Sequence, residues 1–333
     1  MTISKRTIGG HAVNPIGLGC MSLSWAYGTP PSDEDGAKLL HQALDLGYNN
    51  LDTARIYGLG HNETLIGNTL KGRRSEFYLA SKTGIFVEGK ARRIDCRPEK
   101  IRTALEESLK LLQTDHIDLY YLHRPDFSTP IEDSIGELAR AVESGKIGGI
   151  GLSEMSADTL RRAAAVHPIT AMQTEYSPWT RNPEIAVLDA CRELGTTFVA
   201  FSPVARGVLA GGVPDPALLL ERDLRRAMPR FLPENWPHNA ALVAEFERIA
   251  ADQGVTPAQP SRAWVNMRGD HIVSIPGTAN AAHLAENIAR WDWEPSAEVM
   301  ARIDTLFTPQ APRGNRYGEE MRRAVSTEEF AEA

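Results

Sequence analysis

The sequence predicts an α/β chain folded as a single (β/α)8 TIM barrel, with an N-terminal hairpin and an extra C-terminal helix. Three observations predict it. Eight short apolar runs occur along the 333 residues, a helical pattern separates most of them, and several runs break into polar residues at their C-terminal ends. Strands alternating with helices imply a parallel sheet, and eight such units close most naturally into a barrel.

Residues 1–15 read as a hairpin with Gly9 and Gly10 at its turn. The candidate barrel strands follow at 16–20, 49–52, 77–80, 117–121, 146–152, 170–175, 196–201 and 271–275. Between the first two, DEDGAKLLHQALDLG carries Leu39, Leu40, Ala43, Leu44 and Leu46 at helical spacing. PEKIRTALEESLKLLQ places Pro98 in a first turn and Leu105, Leu109 and Leu112 on one face. A long insertion follows the seventh strand, from about 204 to 237, and long loops in compact domains are usually functional or disordered. It leaves the C-terminal end of a strand, so it is expected to cover a cofactor or substrate. PSAEVMARIDTLF reads as the extra helix, and the charged tail, 310–333, is expected to be poorly ordered at its end. No linker or short-period repeat divides the chain, so residues 1–333 are expected to form one domain.

Charge narrows the partners. Lys plus Arg minus Asp plus Glu is 36 − 43 = −7, with the charges dispersed, which argues against nucleic acid and anionic membrane surfaces. MTISKRTIGGHAVNP has no apolar core of a secretory signal, and no window approaches a spanning segment. Cys20, Cys96 and Cys191 are scattered without metal-ligand spacing and fit a reducing cytoplasm, the expected location. Nothing in the sequence indicates an oligomeric state.

Four residues at the predicted strand ends carry chemistry. Asp52 and Tyr57 fall in NNLDTARIYG, Lys82 in FYLASKTG and His123 in IDLYYLHRPD. In a β/α barrel such positions converge on one pocket. A phenol needs its phenolate form stabilised to act as an acid near neutrality, and an adjacent ammonium does this. Lys82 is the natural donor, and Asp52 would keep it charged. A Schiff-base role for Lys82 would need a neutral amine, which Asp52 opposes. His123 is open between a structural role, orienting a carbonyl oxygen and relaying a proton. A metal site through Glu154 or Glu175 is weakly supported, and none is assigned.

These segments also carry a family resemblance. DTARIYG, SKTG, LHRPD, GLSEMS, MQTEYSPW, AFSPVARGVLAGG and SIPGTANAAHLAEN occur in the order and spacing of the aldo-keto reductase superfamily, from about Ile16 to Phe307. The chain looks most like its bacterial, fungal and plant branch of small-carbonyl reductases. The resemblance implies a catalytic tetrad of Asp52, Tyr57, Lys82 and His123. Tyr57 would protonate a carbonyl oxygen while a nicotinamide delivers hydride. It implies that Ser153 and Gln173 hold the carboxamide and Phe201 stacks on the ring. Glu154 stands where the family has asparagine after that serine, which puts one amide contact in doubt. Ser202, Val204, Arg206 and Gly207 match the loop over the pyrophosphate, and Thr278, Glu286 and Asn287 match positions around the adenosine.

The branch commonly has a cation after I-P-G-T, where this chain has Ala279 and Asn280, with His283 one turn on. The expected cofactor is therefore NADPH with a weak preference, NADH also being used. The expected substrate is a small carbonyl compound, and a slow cofactor redox sensor on the same fold is the alternative. GKIGGIGLS is read as strand packing, since a dinucleotide lying over a barrel top needs no Rossmann turn. Trp25, Phe86, Phe127 and Trp179 are candidates for an aromatic pocket wall or for core.

Overall fold

The computed structural model describes residues 5–89, 91–211 and 215–330. Strands β1 (Arg6–Ile8) and β2 (His11–Val13) pair antiparallel, and Gly9 and Gly10 take the left-handed conformation their turn requires. The barrel begins with β3 (Leu18–Gly19), β4 (Asn50–Asp52) and β5 (Tyr78–Thr83). A second hairpin, β6 (Ile85–Glu88) with β7 (Ala91–Ile94), follows β5 directly. The barrel resumes with β8 (Leu119–Leu122), β9 (Ile150–Ser153), β10 (Ala171–Glu175), β11 (Thr197–Phe201) and β12 (Ile272–Ile275).

All eight predicted barrel strands are present, parallel and in sequential order. The ends meet through Gly17 N–H, which donates to the Ser274 carbonyl at 2.8 Å, and Ser274 N–H, which donates to Pro15 at 2.9 Å. That contact closes the sheet into a barrel.

Side-chain alternation along each strand decides what faces inside. Tyr78 and Ala80 on β5, Leu119 and Tyr121 on β8, Ala171 on β10, Val199 on β11 and Val273 on β12 form one buried cluster. Ile8 and Val13 of the β1–β2 hairpin belong to it, so the hairpin plugs the floor of the barrel. The intervening residues, such as Leu79, Tyr120, Leu152 and Met172, pack outward against the helices. Continuing the inward register by two residues reaches Lys82, His123, Ser153, Gln173 and Phe201. The alternation that fills the core thus also delivers these side chains to the barrel top.

The outer layer comprises α1 (Asp33–Asp45), α2 (His61–Leu70), α3 (Pro98–Leu112), α4 (Ile131–Glu143), α5 (Ala157–Val166), α6 (Val187–Leu194), α7 (Trp236–Asp252), α8 (Ala258–Asn266) and α9 (Ala281–Ile288). Leu39, Leu40, Ala43 and Leu44 of α1 and Leu105, Leu109 and Leu112 of α3 are buried, as the spacing predicts. Leu46 lies just beyond α1 and is exposed. The glycines before β9 and within it permit close packing. A Cβ on Gly151 would stand 2.2 Å from the Tyr121 ring, and one on Gly149 2.3 Å from the Thr170 hydroxyl.

The extra helix α10 (Ala297–Leu306) is followed by a tail with a short α11 (Glu319–Arg322). The tail packs against the barrel as far as the described residues run, to Phe330. Arg316, Tyr317 and Thr327 are buried, and Ser326 N–H donates to the Glu154 carbonyl at 2.9 Å. Residues 331–333 lie outside the described residues. The insertion runs through short 3-10 turns at Ala205–Ala210, Pro216–Leu218, Leu224–Ala227 and Pro229–Phe231. Arg230 anchors it by donating to the Trp179 carbonyl and the Thr180 hydroxyl, each at 2.8 Å.

Candidate active site

Asp52 ends β4 in register with Gly19 on β3 and Ala80 on β5. Its Oδ1 receives a hydrogen bond from the Lys82 ammonium, which also donates to the Thr53 carbonyl at 2.8 Å. Its Oδ2 accepts from the Gln173 amide at 2.7 Å. Both carboxylate oxygens are thereby committed and the lysine is held in one place. Tyr57 sits in the turn after β4, with its N–H bonded to the Ala54 carbonyl at 3.0 Å. The Lys82 nitrogen lies 5.4 Å from the Tyr57 ring centroid, and the His123 ring meets the same phenol edge-on at 5.8 Å.

A cavity of about 540 Å³ opens above these groups. Asp52, Tyr57 and His123 line it, while the Lys82 side chain is wholly buried beneath them.

Burial governs the electrostatics. It raises the pKa of the Tyr57 phenol, and the charge of Lys82 pulls the other way without overcoming it. The phenol therefore holds its proton at neutral pH. Burial pulls Lys82 toward its neutral form, but Asp52 and then Tyr57 outweigh this and the ammonium stays charged. His123 is pushed well below the ordinary imidazole range by burial first, then by the positive charges of Arg124, Lys82 and Arg92. It is a neutral ring, and its buried Nδ1 has no hydrogen-bond partner among the described residues.

The cavity wall gathers the remaining sequence-predicted positions. Ser153, Gln173, Phe201, Ser202, Val204, Arg206, Gly207, Thr278, His283, Glu286 and Asn287 all line it. Phe201 is the one half-buried residue of β11, so its ring presents an apolar face to the opening. Ser202, Ala205, Arg206 and Gly207 have positive φ, a local run of left-handed backbone at the rim. Successive residues of this kind make concave N–H surfaces suited to anions, and strained backbone concentrates at functional sites. Asn280 caps α9 by accepting from Ala282 N–H at 2.8 Å and His283 N–H at 3.2 Å. An aromatic face, an anion-shaped loop and a helix N-terminus along one cavity fit an extended dinucleotide.

Two arginine–glutamate pairs were not visible in the sequence. The Arg206 guanidinium bonds to Glu175, to the Tyr317 hydroxyl and to the Tyr27 hydroxyl, the last two at 3.2 Å. Glu154 is fully buried and receives a bidentate fork from Arg316 at 2.8 and 2.6 Å, plus the Thr327 hydroxyl at 2.9 Å. Burial raises the Glu154 carboxyl, but Arg316 overcomes it, and the group ends below its ordinary range. Glu154 and Glu175, weighed above as metal ligands, are each held by a guanidinium. Glu154, where the resemblance led one to expect an asparagine, binds Arg316 and Thr327 and so fastens the tail.

Of the four aromatic wall candidates, Trp25 alone lines the cavity. Trp179 packs edge-on to Phe307 at 5.8 Å, Phe127 is 71% exposed, and Phe86 lies beneath the Lys100 ammonium on β6. Sequence reasoning did not single out Tyr27, Arg92, Arg124, Arg225, Tyr317 and Met321, which also line the wall. Arg124 had a visible signal, since it follows His123 in the LHRPD segment. The others lie in the β6–β7 hairpin, in loops and in the tail, where the sequence gives no sign of which way a side chain points.

The aldo/keto reductase family model matches residues 15–307. An aldo-keto reductase of Schizosaccharomyces pombe, named yakc [NADP(+)], is 45% identical over 294 residues, covering 86% of each chain. Among solved structures, the glycerol dehydrogenase AKR11B4 of Gluconobacter oxydans superimposes with a TM-score of 0.84 at 27% identity, covering 95% of this chain and 98% of its own. An aldo-keto reductase of Klebsiella pneumoniae in complex with NADPH superimposes with a TM-score of 0.73 at 26% identity, covering 96% and 99%. A family match across most of the chain and a close relative over the same span agree with the barrel and its cavity: this chain belongs to the aldo/keto reductase family of enzymes.

Proposed function

We propose that this enzyme reduces aldehydes or ketones to alcohols with NADPH, using Tyr57 as the general acid. The observation that carries the reading is a protonated, buried Tyr57 beside a charged Lys82, with a neutral His123 on the same cavity wall. The nicotinamide supplies the hydride when bound. Tyr57 gives its proton to the carbonyl oxygen, and the Lys82 ammonium stabilises the phenolate left behind. The Asp52 carboxylate keeps Lys82 charged, and Gln173 keeps Asp52 oriented. His123 is poorly suited to be the acid, because a neutral imidazole gives up its ring proton only at far higher pH; it fits a hydrogen-bond donor that aims the carbonyl oxygen. General acid catalysis of this kind contributes about 10²–10⁴-fold, the rest coming from positioning.

Ser153, Phe201 and the Ser202–Gly207 loop are the proposed nicotinamide and pyrophosphate contacts, and Thr278, His283, Glu286 and Asn287 surround the adenosine. The fission-yeast relative is named for NADP(+), and the Klebsiella structure holds NADPH. In this chain, however, the wall from Ile275 to Asn287 contains no lysine or arginine. The preference for NADPH over NADH is accordingly weak. A Schiff-base role for Lys82 is disfavoured because the amine stays charged and contributes nothing to the cavity wall. The reading places the enzyme in the cytoplasm, in keeping with three free, buried cysteines. No helix among the described residues is long and apolar enough to cross a membrane.

The test mixes pure protein with excess NADPH and 4-nitrobenzaldehyde. Many turnovers per protein, with the alcohol as product, support the reading. A single stoichiometric oxidation of bound cofactor would replace it with a redox sensor.

A further inference from the structure

Four arginines line the cavity, and they divide into two kinds. Arg206 is committed to Glu175 and Arg225 to Asp223, each as a buried or half-buried ion pair. Arg92 and Arg124 have no carboxylate partner within ion-pair distance among the described residues. Arg124 is positioned by its own contacts, donating to the His123 carbonyl at 2.6 Å and reaching the Ser153 hydroxyl at 3.3 Å. Arg92, on β7, lies with its guanidinium over the Trp25 ring, 4.4 Å from its centroid, and forms no ion pair among the described residues.

Arg92 is exposed to solvent on one side, and partial desolvation first and then the positive charge of Arg124 lower its pKa. Glu320 of α11 acts on Arg92 at longer range and forms no ion pair with it. Two of the four cavity arginines are thus neutralised internally, and the other two leave positive charge on the same wall that an incoming anion can meet. Both free cations share the wall with Tyr57 and His123, where the carbonyl must sit.

We propose that Arg92 and Arg124 form a subsite for a carboxylate carried by the substrate, so that the enzyme favours oxo acids over neutral carbonyl compounds of the same shape. The proposal rests on the carbonyl-reductase reading and deepens it to a substrate class. A guanidinium meets a carboxylate through paired N–H···O bonds, and the stacked Arg92 loses little freedom in making them. Trp25 and Ile85, also on the wall, supply apolar surface for the body of such a substrate.

The experiment compares 3- and 4-carboxybenzaldehyde with their methyl esters under saturating NADPH. The ester group withdraws electrons more strongly than the carboxylate, so intrinsic reactivity favours the esters and any opposite preference belongs to the site. We expect kcat/KM to favour the acid over its ester by about ten-fold or more for at least one isomer. Arg92→Gln and Arg124→Gln should each lower this ratio by about ten-fold, and raising salt should lower it in the wild type through screening. Esters preferred by the wild type, or a ratio unmoved in both variants, would overturn the subsite. Weakened NADPH affinity in both variants with an unmoved ratio would likewise overturn it and assign the cations to the cofactor. Failure of the wild type to turn over any of these aldehydes or 4-nitrobenzaldehyde would instead remove the reductase reading beneath it.

Discussion

At the scale of single residues, burial holds the Tyr57 proton while Lys82 lowers the cost of losing it. Tyr57→Phe removes only the hydroxyl, so cofactor binding should survive while kcat falls by at least about 10²-fold. Wild-type turnover in that variant would show that another group is the acid. Lys82→Met should also suppress turnover, because the phenolate loses the buried ammonium that Asp52 holds beside it. A second residue-scale prediction concerns Ala279, which stands where the family resemblance leads one to expect a cation. Ala279→Arg should tighten NADPH more than NADH by about ten-fold, the worth of one charge-assisted contact to phosphate. The ratio of kcat/KM for the two cofactors measures it, and a wild-type preference above about 10³ would mean that another cation already fills the place. These residues were legible because chemically specific side chains at strand ends stand out in a sequence. Arg124 was hidden in plain view beside His123, since an arginine in a polar segment carries no sign of where it points.

At the scale of elements, the tail and the long insertion are held by buried charge. Glu154 of the β9 end ties down Arg316 and Thr327, and Arg206 of the insertion ties Glu175 to Tyr317. Removing one partner of a buried pair leaves the other charge uncompensated, a loss of about 3–5 kcal/mol. Glu154→Gln should therefore loosen the segment around Arg316–Thr327 before it disturbs the barrel. Faster amide exchange at Ser326, whose N–H bonds to Glu154, with unchanged exchange in β10 and β11, would show it. Equal loss of protection throughout would mean that the tail is part of one cooperative unit. The sequence reading treated Glu154 as a departure from its relatives at a cofactor position. Its structural partner lies 162 residues away, and nothing in local spacing connects the two.

At the scale of the whole molecule, stability carries a pH signature from Glu63, a buried carboxyl between α2 and the barrel wall. It accepts from the Ser81 hydroxyl at 2.6 Å, and burial raises its pKa despite that bond. A raised carboxyl contributes stability that is fully present below the ordinary value of about 4.3 and is lost as pH rises through the raised one. Glu63→Gln should remove this slope, so its melting temperature should gain on the wild type as pH increases. Parallel calorimetric curves for the two proteins would exclude it. The hydrophobic periodicities alone determined the eight strands, their order and the barrel, because a period of two and a period of 3.6 are local properties that packing then had to satisfy. The strand-end residues indicated the proposed catalytic chemistry for a related reason: alternation from a buried core dictates which side chains emerge at the top. Only the tertiary structure decided which charges were spent internally. Arg206 and Arg316 meet carboxylates from distant segments, whereas Arg92 and Arg124 do not. That difference arises from how the hairpin, insertion and tail fold over the barrel top, where irregular backbone follows its contacts and no periodic pattern records them.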